Sequence, residues 1–207
     1  FTAFVSVLFL ASCSSGNSWA PAGDRIMTRW GEETDPGNVL QEYPRPQMTR
    51  DRWENLNGLW EYAVTASDSE PDGMDGQILV PFAIESALSG VGRSIEEDEV
   101  LWYERQFSVP KDWNGSRIML NFGAVDWKAE VYVNGQKAGE HTGGYTPFSF
   151  DITDLLARRG RNTLRVKVSD RTDNWFQARG KQVSEPGGIW YTSVTGIWQT
   201  VWMEPVP

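Results

Sequence analysis

The sequence has very few of the side chains that most often build metal and redox sites. It contains one cysteine and one histidine among 207 residues, so neither a disulfide within the chain nor a zinc site of the usual Cys/His kind is expected. A Ser-His-Asp triad on the single histidine, His141, is not expected either. The run Gly90-Val91-Gly92 lacks the further glycine and the helix of a phosphate-binding loop. We therefore predict no metal and no cofactor.

Positive charge is also scarce, with 19 Lys and Arg residues against 28 Asp and Glu residues and a net charge of -9. Such an acidic balance argues against nucleic acid as a partner, and against an anionic membrane held by charge alone. The sequence has no internal repeat, no helical periodicity of useful length and no second hydrophobic core. These absences favour one globular domain preceded by a tail.

Aromatic residues, by contrast, are abundant, and the chain has 11 tryptophans. They are prominent between Gly187 and Glu204, where a Gly-rich turn is followed by alternating side chains that predict a strand from Ile197 to Met203. Rings beside turn glycines form flat apolar plates that can stack on a sugar. A carbohydrate is therefore a ligand compatible with this acidic chain.

The amino end is an apolar run from Phe1 to Leu10, too short to span a membrane and typical of the core of a signal peptide. It continues into Leu10-Ala11-Ser12-Cys13, which resembles the lipidation signal of bacterial lipoproteins. That resemblance implies an exported protein, held at a bacterial membrane only through a lipid on Cys13. The alternative is an ordinary secretory signal in which Cys13 is incidental. The missing initiator Met indicates a truncated start.

Short strands separated by turn residues recur from about residue 51 onward, which predicts an all-β sandwich. We expect residues 1–13 to be the signal peptide, 14–50 a tether and lead-in segment, and 51–207 the sandwich domain. The sharpest local signal is Asn134-Gly135, whose tolerance of positive φ predicts a tight hairpin. Further predicted elements are strands at 59–65, 78–82, 100–109, 117–122, 148–152 and 162–168, a helical turn at 154–160 and a long loop at 170–186.

Several runs, in this order along the chain, resemble the N-terminal sugar-binding domain of glycoside hydrolase family 2, a jelly-roll β-sandwich found in β-galactosidases, β-glucuronidases and β-mannosidases. The runs are Leu56-Asn57-Gly58-Leu59-Trp60, Val80-Pro81-Phe82, Trp102-Tyr103-Glu104-Arg105-Gln106-Phe107, Val131-Tyr132-Val133-Asn134-Gly135, Gly143-Gly144-Tyr145-Thr146-Pro147-Phe148 and Thr195-Gly196-Ile197-Trp198.

The resemblance implies a fragment of a glycosidase that hydrolyses terminal glycosidic bonds by a retaining two-carboxylate mechanism. The two catalytic glutamates of that family belong to a later (β/α)₈ barrel, which follows an immunoglobulin-like domain. Both domains are absent from this chain, so we expect no catalytic residue here. The implied role of the domain is to brace the barrel and to lend loops to the sugar pocket.

One position departs from the family pattern. Galactosidases and glucuronidases of the family have a substrate-contacting Asp six residues before the glycine that corresponds to Gly196, and this chain has Trp190 there. A flat stacking surface thus replaces an acceptor of sugar hydroxyls. The substrate is therefore expected to differ from a plain galactoside or glucuronide.

Trp190 and Tyr191 are the leading sugar-facing candidates, and the alternative is that they only pack on the missing barrel. Further substrate-binding candidates lie in the long loop and after the Val80-Pro81 turn; they are Asp173, Asn174, Trp175, Lys181 and Glu85. The alternatives are a solvated turn for the loop residues and an ordinary surface carboxylate for Glu85. The sequence leaves undecided which way Asp126 faces, and His141 is expected to be structural.

Three hypotheses follow. The first is the N-terminal fragment of a family 2 glycosidase whose partners are a terminal sugar and its own missing domains. The second is a stand-alone carbohydrate-binding lipoprotein without catalytic activity. The third is a purely structural sandwich whose tryptophans all face absent domains.

Overall fold

The computed structural model describes residues 19–66, 68–157 and 159–207, and in these it is a jelly-roll β-sandwich, as predicted. Predicted residues 1–13, including Cys13, lie outside the described part. The strands are β1 Glu54–Asn55, β2 Gly58–Ala66, β3 Gly76–Val80, β4 Glu99–Phe107, β5 Arg117–Phe122, β6 Val125–Asp126, β7 Lys128–Val133, β8 Gln136–Thr142, β9 Phe148–Asp151, β10 Asn162–Ser169, β11 Gln182–Val183, β12 Tyr191–Thr192, β13 Gly196–Ile197 and β14 Val201–Val206.

Two antiparallel sheets form the sandwich. The larger has the strand order β3-β2-β4-β10-β7-β8, and the smaller has the order β1-β14-β5-β9. Two further pairs, β13 with β6 and β11 with β12, lie outside these sheets. The order mixes strands that are distant in sequence, which is typical of Greek-key connections in sandwiches.

The core lies between the two sheets and consists of the inward side chains of alternating strands. In β10 every second residue from Asn162 to Val168 is buried, because side chains of a strand point alternately to its two faces. Trp60 and Tyr103 meet edge to face in this core, with ring centroids 6.2 Å apart. Burial of such large rings supplies much of the hydrophobic stabilisation, at about 25 cal/mol per Å² of apolar surface.

The predicted hairpin is confirmed. Asn134 and Gly135 have φ values of 52° and 78° and join β7 to β8, the positive φ pair that a type I′ turn requires. The side chain of Asn134 also donates to the Leu155 carbonyl and the Asn162 side chain, both at 2.9 Å. This turn therefore ties down the neighbouring connection as well as closing the hairpin.

The single closing strand predicted from Ile197 to Met203 is wrong. The chain forms β13 beside β6, leaves the strand at residues 198–200 and then forms β14 in the smaller sheet beside β5. Gly196 begins this path with a φ of 93°. The break arises because one segment must serve two different strand partners, which the alternation of side chains does not reveal.

Two smaller differences concern the connections. The helical turn predicted at 154–160 is a 3₁₀ turn at Thr153–Leu155. The loop predicted at 170–186 contains the short strand β11 and continues to residue 195.

Residues 19–50, most of the predicted tether and lead-in segment, lie against the sandwich. They contain the short helix α1 Arg29–Glu32 and bury Val39. Tyr43 and Arg50 both donate to the Glu204 carboxylate at 3.1 Å. These contacts attach the segment to β14, while the predicted domain boundaries themselves stay a prediction. No helix among the described residues is long and apolar enough to cross a membrane.

Candidate functional site

Three connections leave the sandwich at one end. At this end of the larger sheet, Lys128 of β7 lies opposite both Ser169 of β10 and Thr142 of β8. In the smaller sheet, Phe122 lies opposite Phe148. The short connections 123–127 and 143–147 join these strand ends across the two sheets, and the long connection 170–195 starts beside them. The candidate site is built from these three connections.

Residues 171–194, called the aromatic loop below, carry the largest group of exposed apolar side chains in the described chain. Trp190 is 43% exposed, Tyr191 60% and Phe176 95%, and Trp175 and Ile189 are exposed as well. Apolar rings grouped in this way on a folded domain mark a surface that contacts something else, either a ligand or another domain.

The aromatic loop is braced internally rather than loose. The strand β11 pairs in parallel with β12, which places Gln182 opposite Tyr191. The Tyr191 amide donates to the Lys181 carbonyl at 3.0 Å, and Arg179 donates to the Gln182 carbonyl at 2.9 Å. These contacts hold Trp190 and Tyr191 in a defined place, which lowers the entropy lost when a ligand binds.

Each of three rings in this loop has a cation over it. Arg171 lies 5.2 Å from the Trp175 ring centroid, Arg179 lies 5.5 Å from that of Trp190, and the Lys181 ammonium lies 6.0 Å from that of Tyr191. These distances suit cation–π attraction. The loop therefore presents rings and positive charge together on a chain that is strongly acidic overall.

The candidates predicted in the first part of the loop differ in what they do. The Asp173 carboxylate accepts from the Ser184 amide at 3.1 Å and from its hydroxyl at 2.6 Å. The hydrogen bond from the Ser184 side chain is the main reason that the pKa of Asp173 is lowered. Asp173 is therefore occupied in shaping the loop, whereas Asn174 is exposed and Trp175 lies under Arg171.

Glu85 is buried, so the alternative of an ordinary surface carboxylate is wrong. Only 3% of its surface is exposed, and its two oxygens accept from the Ser193 hydroxyl at 3.1 Å and from the Thr195 amide at 2.9 Å. Burial raises the pKa of Glu85 to about 7, although the hydrogen bonds from Thr195 and Ser193 oppose the shift. Glu85 lies beneath the aromatic loop and not on its rim.

The strand pattern left undecided which way Asp126 faces, and the structure places it in the interior. It is 6% exposed, its Oδ1 is buried, and that atom has no hydrogen-bond partner in the described chain. Burial, followed by the charges of Asp170 and Glu85, raises its pKa to about 7. A buried carboxyl without a partner is costly, and its position beside Trp127, a ring next to an acceptor, is the sequence signal that points to it.

The surroundings of Asp126 are aromatic. It lies against Gly144, where the Cβ of any other residue would overlap its carboxyl group. The Trp198 indole donates to the Gly144 carbonyl at 2.8 Å, and the Tyr145 and Trp198 rings meet edge to face at 6.2 Å. Tyr145 is half exposed, and burial followed by the charges of Asp126 and Asp170 raises its pKa. Asp126 therefore lies behind a partly open pair of rings.

His141 stacks on Phe148 with centroids 4.3 Å apart and shares a 3.1 Å hydrogen bond with Thr146. Within the described ranges, no group of three or more His, Cys, Asp or Glu side chains is arranged to hold a metal ion. The arrangement offers instead what a sugar site needs, namely flat apolar rings, a few polar groups and an acceptor for hydroxyls.

Comparison with known proteins gives a consistent result. The family profile described as "Glycosyl hydrolases family 2, sugar binding domain" matches residues 80–207. The chain is 37% identical over 112 residues to a β-galactosidase of Thermoanaerobacter pseudethanolicus, covering 53% of this chain and 14% of that protein. It is 30% identical over 191 residues to a β-glucuronidase of Chlorocebus aethiops, covering 84% of this chain and 28% of that protein.

Solved structures of other proteins share the fold of this chain. A crystal structure of a Bacteroides uniformis β-glucuronidase superposes with a TM-score of 0.55 at 27% identity, over 75% of this chain and 18% of that one. The chain thus spans less than a third of the length of each of these relatives.

Proposed function

The chain belongs to glycosyl hydrolase family 2 through its sugar-binding domain, and from this premise we propose that it is the N-terminal part of a glycosidase that hydrolyses terminal glycosidic bonds. In this proposal, catalysis by two carboxylates takes place in a (β/α)₈ barrel that follows an immunoglobulin-like domain. The domain described here braces that barrel and lends the aromatic loop to the sugar pocket.

The observation that carries the proposal is the placement of exposed rings at the same end of the sandwich as a buried acceptor that has no hydrogen-bond partner among the described residues. Trp190 and Tyr191 are exposed and held in place, and the Asp126 carboxyl lies at the same end of the sandwich. Sugars present apolar faces and hydroxyl donors together. Rings combined with an acceptor therefore match a sugar better than either feature alone.

We assign a role to each part of the site. Trp190 and Tyr191 stack on the sugar ring, and Lys181 donates to an oxygen at the sugar's edge. Asp126 accepts a hydrogen bond from a sugar hydroxyl once the half-exposed Tyr145 ring in front of it moves aside. Trp190 stands where galactosidases and glucuronidases of the family have an Asp. Asp126 is the acceptor that can serve in place of that missing carboxylate. Asp173 and Glu85 shape the loop from within and beneath it.

The test starts from the full open reading frame in the source DNA. The encoded protein is assayed with p-nitrophenyl β-galactoside, β-glucuronide and β-mannoside, and Trp190→Ala is compared with Trp30→Ala. Trp30 is a matched control because it is an exposed tryptophan on α1, outside the three connections of the site. Turnover that falls with Trp190→Ala alone supports the proposal. A reading frame without a barrel, or no turnover of any glycoside, contradicts it.

A second candidate is a stand-alone carbohydrate-binding lipoprotein. The bracing of the aromatic loop within this chain favours it, because β11, β12 and the cations over the rings hold the surface without help from another domain. Glycan binding by a product that has no barrel, lost on replacing Trp190, would support this candidate over the glycosidase.

We also propose that the protein is exported and lipid-anchored through Cys13, at the periplasmic or outer side of a bacterial membrane. The apolar run at residues 1–10 followed by Leu10-Ala11-Ser12-Cys13 supports this proposal. A sugar ligand and an acidic domain are compatible with an anchor that acts through lipid alone.

A further inference from the structure

Both ends of the aromatic loop are fastened to one buried residue, Thr195. The Thr195 hydroxyl donates to the Asp170 carboxylate at 2.8 Å, and Asp170 is the residue just before the loop. The Thr195 amide donates to the Glu85 carboxylate at 2.9 Å, and the loop ends just before Thr195. All three residues are at least 95% buried. The base of the loop is thus closed by two carboxylates that share one threonine.

The two carboxylates also accept hydrogen bonds from residues inside the loop. Asp170 also accepts from the Thr172 amide at 2.7 Å and from the Gln177 side chain at 2.6 Å. Glu85 also accepts from the Ser193 hydroxyl at 3.1 Å, two residues after Tyr191. Asp170 therefore fixes the first part of the loop and Glu85 the last part, where the two sugar-facing rings lie.

We propose that Glu85 and Asp170 are positioning residues that hold Trp190 and Tyr191 in place for the sugar through Thr195, and that this hold is firm when Glu85 is protonated and loosens when Glu85 is ionised. The inference rests on the proposed function of the loop. Neither carboxylate touches the sugar in this account, so their effect on binding is indirect.

Burial sets the direction of the effect, since it is what raises the pKa of Glu85, and no positive charge among the neighbouring described groups faces the carboxylate to oppose it. The nearby acids are Asp126 and Asp170, the Tyr103 phenol lies within electrostatic reach, and Arg25 donates to the Glu85 backbone carbonyl at 3.2 Å. Arg25 thus contacts the main chain and not the carboxylate. Ionised Glu85 therefore adds a negative charge to a buried region that already holds two other acids.

Protonated Glu85 keeps both of its hydrogen bonds. One oxygen still accepts from the Thr195 amide, while the protonated oxygen donates to the Ser193 hydroxyl, which accepts as readily as it donates. The pKa of Glu85 in the folded protein is raised from its ordinary value of 4.5 to about 7. The stabilisation of the loop by protonated Glu85 is therefore fully present below about pH 4.5. It is lost as the pH rises through about 7.

Glu85→Gln is the decisive variant because glutamine copies the protonated side chain. Its carbonyl accepts from Thr195, its amide donates to Ser193, and it carries no charge at any pH. We measure hydrogen exchange of residues 171–194 in the full gene product at pH 6 and pH 8, corrected for the intrinsic rates. In the wild type, protection is expected to fall about tenfold, because the buried, ionised carboxyl of Glu85 disfavours the closed loop more at pH 8 than at pH 6. In Glu85→Gln it should stay constant.

Three further variants separate positioning from general stability. Glu204→Gln replaces another buried glutamate, which lies in β14, pairs with Arg50 and, among the described residues, makes no hydrogen bond to the loop, and it should keep the wild-type pH profile of loop protection. Thr195→Val removes only the donor to Asp170 and should speed exchange in the loop, whereas Thr195→Ser should restore protection.

Measuring KM for an aryl β-glycoside tests whether the loop affects sugar binding. KM should rise between pH 6 and pH 8 in the wild type and not in Glu85→Gln, with kcat affected less. Equal pH dependence of loop protection in the wild type and in Glu85→Gln would overturn the inference. If loop protection depends on Glu85 but KM does not, the rings are not positioned for the sugar, while the glycosidase proposal stands. Absence of turnover with every glycoside contradicts the proposed function itself.

Discussion

Replacing Asp126 by asparagine should stabilise the fold above neutral pH and at the same time weaken the proposed sugar site. The Asp126 carboxyl is buried, one of its oxygens has no hydrogen-bond partner among the described residues, and its pKa is raised from 3.8 to about 7. Asparagine has nearly the same shape and carries no charge. The energetic cost that the wild type bears when it ionises this group is therefore removed.

The magnitude follows from the pKa. A shift of about three pH units at about 1.4 kcal/mol each corresponds to about 4 kcal/mol of folding free energy. Because the carboxyl pKa is raised, the folding free energy falls as the pH rises. Below about pH 3.8 Asp126 is protonated in both the folded and the unfolded state, and no stability is lost. The loss grows as the pH rises and is complete above about pH 7. Asp126→Asn should therefore match the wild type in acid and exceed its stability by up to about 4 kcal/mol at pH 8.

Urea unfolding at pH 4 and pH 8 measures this difference through the midpoint, provided that the slope is unchanged. Asp72→Asn is the control, because Asp72 is exposed, and it should alter neither curve by more than about 0.5 kcal/mol. The reasoning is refuted if Asp126→Asn lowers stability at pH 8, since the carboxylate would then have a favourable partner. An unchanged KM for glycosides would separately remove Asp126 from the sugar site.

Three other outcomes are expected. Trp190→Ala should lower kcat/KM of the full protein about fivefold, from loss of about 1 kcal/mol of stacking, while Trp30→Ala leaves it unchanged. Gly196→Ala should cost several kcal/mol in urea unfolding, because its φ is 93° and a Cβ would overlap Tyr103; Gly135→Ala, at φ 78° with open space around it, should cost only about 1 kcal/mol. Fatty-acid labelling of the expressed precursor should disappear with Cys13→Ser.

Much of the sandwich could be predicted because its signals are local. The alternation in β10 and the Asn134-Gly135 turn each depend on a few neighbouring residues. The prediction of one continuous strand from Ile197 to Met203 failed at residues 198–200 because the signal there is not local. Whether a strand continues there depends on which partner it meets, β6 first and β5 afterwards, and both partners lie more than 60 residues earlier in the chain.

The exposed rings of the site could be predicted from the sequence, whereas its buried acids could not. Exposed Trp190 and Tyr191 sit beside turn glycines that any reader of the sequence can see. Glu85, by contrast, looks like a surface residue until the fold brings Ser193 and Thr195 to it from 108 and 110 positions away. Burial of a carboxyl is a property of tertiary packing, and the sequence pattern around Glu85 carries no trace of it.

The buried acids also bear on the choice between a sugar-binding loop and a purely structural one. If the exposed rings served only to pack on another domain, apolar or neutral side chains beneath them would hold the loop at lower cost, because ionised groups in a dry interior are expensive. The chain instead keeps Glu85, Asp126 and Asp170 there, and of these three acids the one with an oxygen that lacks a partner among the described residues is Asp126, which lies against Gly144 and acts electrostatically on Tyr145. A polar ligand that donates hydroxyls accounts for that acceptor, and packing of rings alone does not.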